Sequence, residues 1–169
     1  GCSNNRTIKN SGAYMIWGNR DGVWISTGGR PENVAGRIID FIRGVDMTTA
    51  FAEVVDEEFH LYLGDVTVNG LDYANCAVIL NIPTMTWRVH EYMDDMTTFG
   101  KFYLSGEDYL WMGSTLGEVY GLGKYTDSTL LDDDNGDPIN AMFQTGGITL
   151  GQPSISKQMN KLIAYADRA

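Results

Sequence analysis

Short apolar and aromatic runs, each closed by glycine or by a polar turn, occupy most of this chain, and their spacing is that of strands rather than of long helices. One unit recurs. An apolar strand with an aromatic residue and a closing glycine occurs as Met15-Ile16-Trp17-Gly18, as Leu61-Tyr62-Leu63-Gly64 and as Leu110-Trp111-Met112-Gly113. The three glycines lie 46 and 49 residues apart. A glycine turn leading into a Val-aromatic pair follows the first copy at Asp21-Gly22-Val23-Trp24 and the third at Gly117-Glu118-Val119-Tyr120. Each copy therefore predicts a hairpin.

In chain order, the first hairpin is expected over 13–26, turning at Asn19-Arg20-Asp21-Gly22. After Gly28-Gly29 the period changes. Pro31 suits a first helical position, Glu32 favours the positive end of the dipole, and Val34, Ile38, Phe41, Ile42 and Val45 recur on one face. This predicts an amphipathic helix of about three turns over 31–45, ending near Gly44 and packing as a lid on a sheet edge or between sheets. Strands are expected at 50–55 and 58–63 across the turn Asp56-Glu57, then at 73–82 after Asn69-Gly70. Pro83 belongs in a turn because it cannot donate to a ladder. Trp87–Tyr92 alternates as the next strand, 99–104 and 109–112 form a hairpin, and 117–122 completes it. Lys161–Asp167 reads as the opening strand of a further, uncompleted sheet.

A self-similar period of this length with aromatic and glycine punctuation is the mark of radially stacked four-stranded sheets. The predicted fold is all-β, a propeller-like array of about three to four antiparallel blades in one domain over 1–169, with one short amphipathic helix near 31–45. A closed ring usually holds more blades, so the chain is expected to be a fragment of, or a partner-completed part of, a larger propeller. Its terminal sheets would then offer open edges to other chains. Trp17, Trp24, Tyr62, Trp87, Trp111 and Tyr120 are expected to fill the wedges between blades.

Composition narrows the function classes. Hydrophobic residues at 43% and charged residues at 20% describe a folded chain, and no apolar run approaches the ~20 residues of a membrane span. Twenty-two acidic against twelve basic residues give a net charge of −10, which opposes a surface that grips phosphates. Such a balance suits a conduit through which DNA slides without being specifically bound.

Candidate chemistry is sparse. Cys2 and Cys76 are the only cysteines, and Cys76 sits in the apolar run Cys76-Ala77-Val78-Ile79-Leu80, as a buried strand residue would. Asp133, Asn135 and Asp137 have the alternate spacing of a calcium loop. Pro138 stands where that loop needs glycine, however, and Gln144 where it needs a bidentate glutamate. A solvated hairpin turn is the simpler reading. His60 and His90 lack zinc spacing, and no nucleophile motif or complete phosphate loop is present. Carboxylates at Asp94-Asp95, Glu107-Asp108 and Glu118 could pair in space for glycoside hydrolysis. No catalytic residue and no cofactor is assigned.

The order of the motifs is more specific than any one of them. It runs from Asp21-Gly22-Val23-Trp24 through the helix of 31–45, the strand His60-Leu61-Tyr62-Leu63, and Val78–Asn81 leading to Trp87-Arg88-Val89. The hairpin of Gly113–Leu122 follows, then the acidic turn Asp132–Ile139 with Thr145, Gly151 and Lys157 beyond it. This order resembles the propeller-like structural proteins of tailed bacteriophages that sit at the neck or form the nozzle of short tails. The resemblance spans nearly the whole chain. It implies a non-enzymatic virion protein of a phage or prophage, located in the neck or tail, that closes or extends the DNA channel. Its partners would be portal, adaptor or tail proteins and further copies of itself. Contacts are expected around Met93, Met96 and Phe99, in a region read as a turn. The alternative is a secreted or envelope-attached propeller that binds carbohydrate through its tryptophans.

Overall fold

The computed structural model describes residues 4–104 and 106–122 with the pairs 133–134 and 137–138; for Leu104, Glu107, Leu122 and the two pairs it describes the backbone alone. The strands are β1 (Lys9–Ser11), β2 (Tyr14–Asn19), β3 (Gly22–Ser26), β4 (Glu32–Asn33), β5 (Phe51–Val55), β6 (Glu58–Val68), β7 (Leu71–Asn81) and β8 (Thr86–Glu91). They continue as β9 (Met96–Leu104), β10 (Glu107–Ser114) and β11 (Val119–Leu122). Every pairing is antiparallel between strands adjacent in sequence, which gives three successive meanders, β1 to β4, β5 to β8 and β9 to β11. The protein is all-β, and none of the three sheets closes on itself. All three lie in one compact unit, Gly1–Lys124; of a second, Tyr125–Ala169, only the hairpin of β12 (Asp133–Asp134) and β13 (Asp137–Pro138) is described.

Turn chemistry sets the meanders. Asp56 and Glu57 (φ 49° and 64°) and Asn69 and Gly70 (φ 52° and 80°) take the two positive-φ positions that a tight hairpin needs. The three copies of the repeated strand fall in β2, β6 and β10, the second strand of each sheet, and the two Val-aromatic copies fall in β3 and β11, the third strand. The period read in the sequence is thus the period of the sheets.

The second sheet is buried on both faces. Ala52, Val54, Phe59, Leu61, Val78 and Leu80 pack against Ile16, Val23 and Ile25 of the first sheet and against Ile38, Ile42 and Met47. Phe51, Val55, Tyr62 and Ala77 pack the other way, onto Met96, Phe99, Leu110 and Met112 of the third. Double burial explains why 76–80 is continuously apolar instead of alternating. Cys76 is fully buried as expected, and burial pushes its thiol up to about 12.

Gly18 lets the first two sheets approach closely. A Cβ there would stand 3.0 Å from Leu61 Cδ2 and 3.1 Å from Met47 Cε. Gly18→Val is expected to cost about 1–3 kcal/mol by overpacking, read as a lower urea midpoint at unchanged slope. An unmoved midpoint would contradict this contact.

Two expectations need correction. The helix over 31–45 is shorter: Glu32 and Asn33 pair with Ile25 and Trp24 as β4, and only a 3-10 turn, Gly36–Ile38, and α1 (Ile39–Arg43) are helical. Asn33 prevents an earlier start, because its side chain accepts from Ala35 N at 3.0 Å and donates to Asp21 O at 3.0 Å, and Gly36 then takes φ +48°. The apolar face survives, with Ile38 and Ile42 buried. Second, 93–99 is not simply a turn, since β9 begins at Met96. A bulge opposite Gly113 and Ser114 leaves Thr97 unpaired, so Met96 and Phe99, three apart, face the same way and the two-residue period is broken. Asn135, Thr145, Gly151, Lys157 and 161–167 lie outside the described residues.

Candidate functional site

The first strands of the three sheets lie side by side, β1 against β5 and β5 against β9. The segment before β1 ties them together. Asn4 is buried and donates through Nδ2 to the carbonyls of Met47 (2.8 Å) and Ala50 (2.6 Å). Thr7 Oγ1 reaches Gly18 O at 2.8 Å, and Lys9 Nζ meets Glu53 Oε2 at 2.9 Å. Arg6 lies over the Phe51 ring, 4.9 Å from its centroid, and donates to Thr97 O at 2.7 Å. The residues that lead into β1, β5 and β9 thus share one place.

There they border an open cleft of about 540 Å³ lined by Arg6, Thr48, Tyr62, Asp95 and Thr97 among others. The hydroxyl of Tyr62 donates to Asp95 Oδ1 at 2.8 Å and accepts from Met96 N at 3.0 Å. Burial, reinforced by the Asp95 carboxylate, raises the phenol well above its ordinary range. Tyr62 therefore stays a neutral hydrogen-bonding group, and a guanidinium and a carboxylate in the same lining equip the cleft to hold a polar group.

The aromatics divide by strand parity. Tyr62 is buried between the second and third sheets, and Trp87 packs partly buried on the first two while its Nε1 donates to Val34 O at 2.8 Å. Tyr120 packs on the edge of the second cluster. Its hydroxyl bonds with the carboxylates of Asp94 and Glu118, which raise the phenol above its ordinary range. Trp17, Trp24 and Trp111 do not fill the wedges between the described sheets of this chain. Ile16, Val23 and Leu110 take the inner faces, so alternation sends their tryptophan neighbours outward. Trp17 and Trp24 are cross-strand partners, with Trp24 Nε1 donating to Asn19 Oδ1 at 3.1 Å. Of the expected contact residues, Met96 and Phe99 are buried inside this chain for the bulge reason given above, and Met93 alone is exposed. Asp133 and Asp137 belong to the β12–β13 hairpin, opposite Pro138 and Asp134 respectively. Among the described residues, no cluster of three or more His, Cys, Asp and Glu side chains could hold a metal.

Sequence reasoning tested His60 only as a zinc ligand and missed its surroundings. Glu53, His60, Ile79 and Arg88 form one cross-strand row on the face toward the third sheet. His60 is buried, with Phe99 edge-on at 6.5 Å, Nε2 3.6 Å from Glu58 Oε2, and no hydrogen-bond partner at Nδ1. Arg88 meets both oxygens of Glu58, Nη2 reaching Oε2 at 2.6 Å. Burial works to raise the Glu58 carboxyl, and Arg88 outweighs it, leaving the group below its usual range. For His60 burial dominates and lowers the imidazole to about 4. The signal was a histidine in an apolar strand directly opposite a carboxylate-bearing one.

No protein-family model matches this chain, and no curated protein matches it at a significant level. Among the described residues no helix is long and apolar enough to cross a membrane.

Proposed function

We propose that this chain is a structural protein of a tailed phage or prophage virion, assembled at the neck or tail nozzle around the channel that DNA traverses. The observation that carries the reading is the arrangement of the sheets. Three consecutive meanders stack face to face with their first strands together, as propeller blades do around an axis. The finer fold reading is accordingly an incomplete propeller whose remaining neighbours come from elsewhere. Its net charge of −10 lets DNA pass without capture, and portal, adaptor or tail proteins are the partners. The reading assigns the chain no catalysis and makes assembly its function.

One observation favours a second reading. Trp111 and Phe102 form an exposed edge-to-face pair at 5.8 Å on the third sheet, and such a pair could stack on a sugar. Quantitative mass spectrometry of nuclease-treated, purified particles separates the two. Enrichment at a small integer ratio to the portal supports the virion component. Absence from particles, with glycan-dependent quenching of tryptophan fluorescence in the purified chain, would replace it with the carbohydrate-binding module.

A further inference from the structure

Within each copy of the repeated strand the second residue points toward the following sheet and the first toward the preceding one. Ile16 in β2 is 0% exposed against the second sheet, and Tyr62 in β6 is 4% exposed against the third. Trp111, at the same position in β10, is 36% exposed. Beside it on that forward face are exposed Phe102, paired opposite Tyr109, and exposed Val119, paired opposite Gly113. In the other direction, Leu61 is 0% exposed on the first sheet and Leu110 1% on the second. Their counterpart Met15 is 47% exposed, on the face that carries the Trp17 and Trp24 pair. Among the described residues, the same register thus buries both positions wherever a neighbouring sheet exists and exposes them at the two ends of the three-sheet stack.

We propose that a second copy of this chain fills both ends, the forward face of the third sheet of one copy docking on the back face of the first sheet of the next. The molecule already makes this contact twice internally, first sheet to second and second to third. A second copy brings the matching half of that contact to each end, whereas an unrelated partner would have to reproduce it. The interface is head to tail, so it generates a ring if its rotation closes and a filament if it does not. This inference goes beyond the virion reading and rests on the packing alone. Particle composition and surface pairing can each fail independently.

The test is native mass spectrometry and sedimentation of the full chain and of variants at the two faces. Trp111→Asp disables only the forward face and Met15→Asp only the back face. The wild-type chain is expected to assemble beyond the monomer and each variant to remain monomeric. An equal mixture of the two should give a one-to-one heterodimer and nothing larger, because one productive pair of faces remains. Val119→Asp, at a surface position, should behave as Trp111→Asp does, with circular dichroism confirming that it folds. A monomeric wild-type chain, assembly by either variant alone, or a mixture that forms no heterodimer would overturn the proposal.

Discussion

Replacing Phe59 with alanine is expected to remove about 3–5 kcal/mol of stability, the usual loss for a fully buried aromatic whose site cannot collapse. Phe59 lies in β6, paired to Val54 on one side and Leu80 on the other, and is 0% exposed. On one side β7 is pinned by its ladder to β8, on the other β5 is packed against β1 and β9, and the facing layer is the first sheet, so little can move into the void. For a domain of ordinary stability, about 5–15 kcal/mol, this is about a fifth or more of the total. Urea unfolding followed by tryptophan fluorescence measures it, with the midpoint falling and the slope retained. A loss below about 1 kcal/mol would mean that Phe59 faces a loose or solvated layer.

Acid should weaken the fold through His60. Its imidazole titrates near 4 when folded against 6.5 when free, so the unfolded chain binds the extra proton first. The contribution of neutral His60 is therefore complete above pH 6.5, declines as the pH falls toward 4, and is gone below it. Two and a half pKa units correspond to about 3 kcal/mol. Glu58 at 3.6 Å partly offsets the cost of protonation, Glu53 stands in the same row, and Arg88 and His90 oppose the new charge. Phe99, across the sheet interface with its ring perpendicular at 6.5 Å, brings no compensating charge. The check is the pH dependence of unfolding free energy in the wild-type chain and in His60→Gln. Carboxylates elsewhere titrate alike in both, so the wild type alone should show the additional loss between pH 6.5 and 4. Parallel curves would show that His60 is solvated.

Much of this architecture was legible because turn residues and closing glycines act locally. Asn69-Gly70 and Asp56-Glu57 specify their hairpins, and the spacing of Gly18, Gly64 and Gly113 matches the period of the sheets. Illegibility came from two sources. Where a bulge adds a residue, as at Thr97, the alternation that marks inward positions slips, and Met96 and Phe99 look like turn residues although they are core. Where a side chain captures the backbone, as Asn33 does, a helical pattern of apolar residues begins later than its spacing suggests. The outward tryptophans show a third limit. Trp17 and Trp111 are as apolar as their inward neighbours, so composition could not say which face each occupies until the register was known.

The same register connects the fold to the proposed role. Stacked meanders leave two unfilled faces whatever their number, unless they close into a ring. Among the described residues, the two outer faces carry Trp111, Phe102 and Val119 at one end and Met15, Trp17 and Trp24 at the other. In the proposed assembly each face covers the other, while Asn4, Arg6 and Lys9 tie the starts of the three sheets together within one chain.

The most direct measurement is a cryo-electron microscopy reconstruction of purified particles from the source culture, with this chain fitted into the neck and tail. The account predicts density for stacked antiparallel meanders around the channel, with Trp111 covered by a neighbouring sheet. Neck and tail density fully explained by other chains would contradict it.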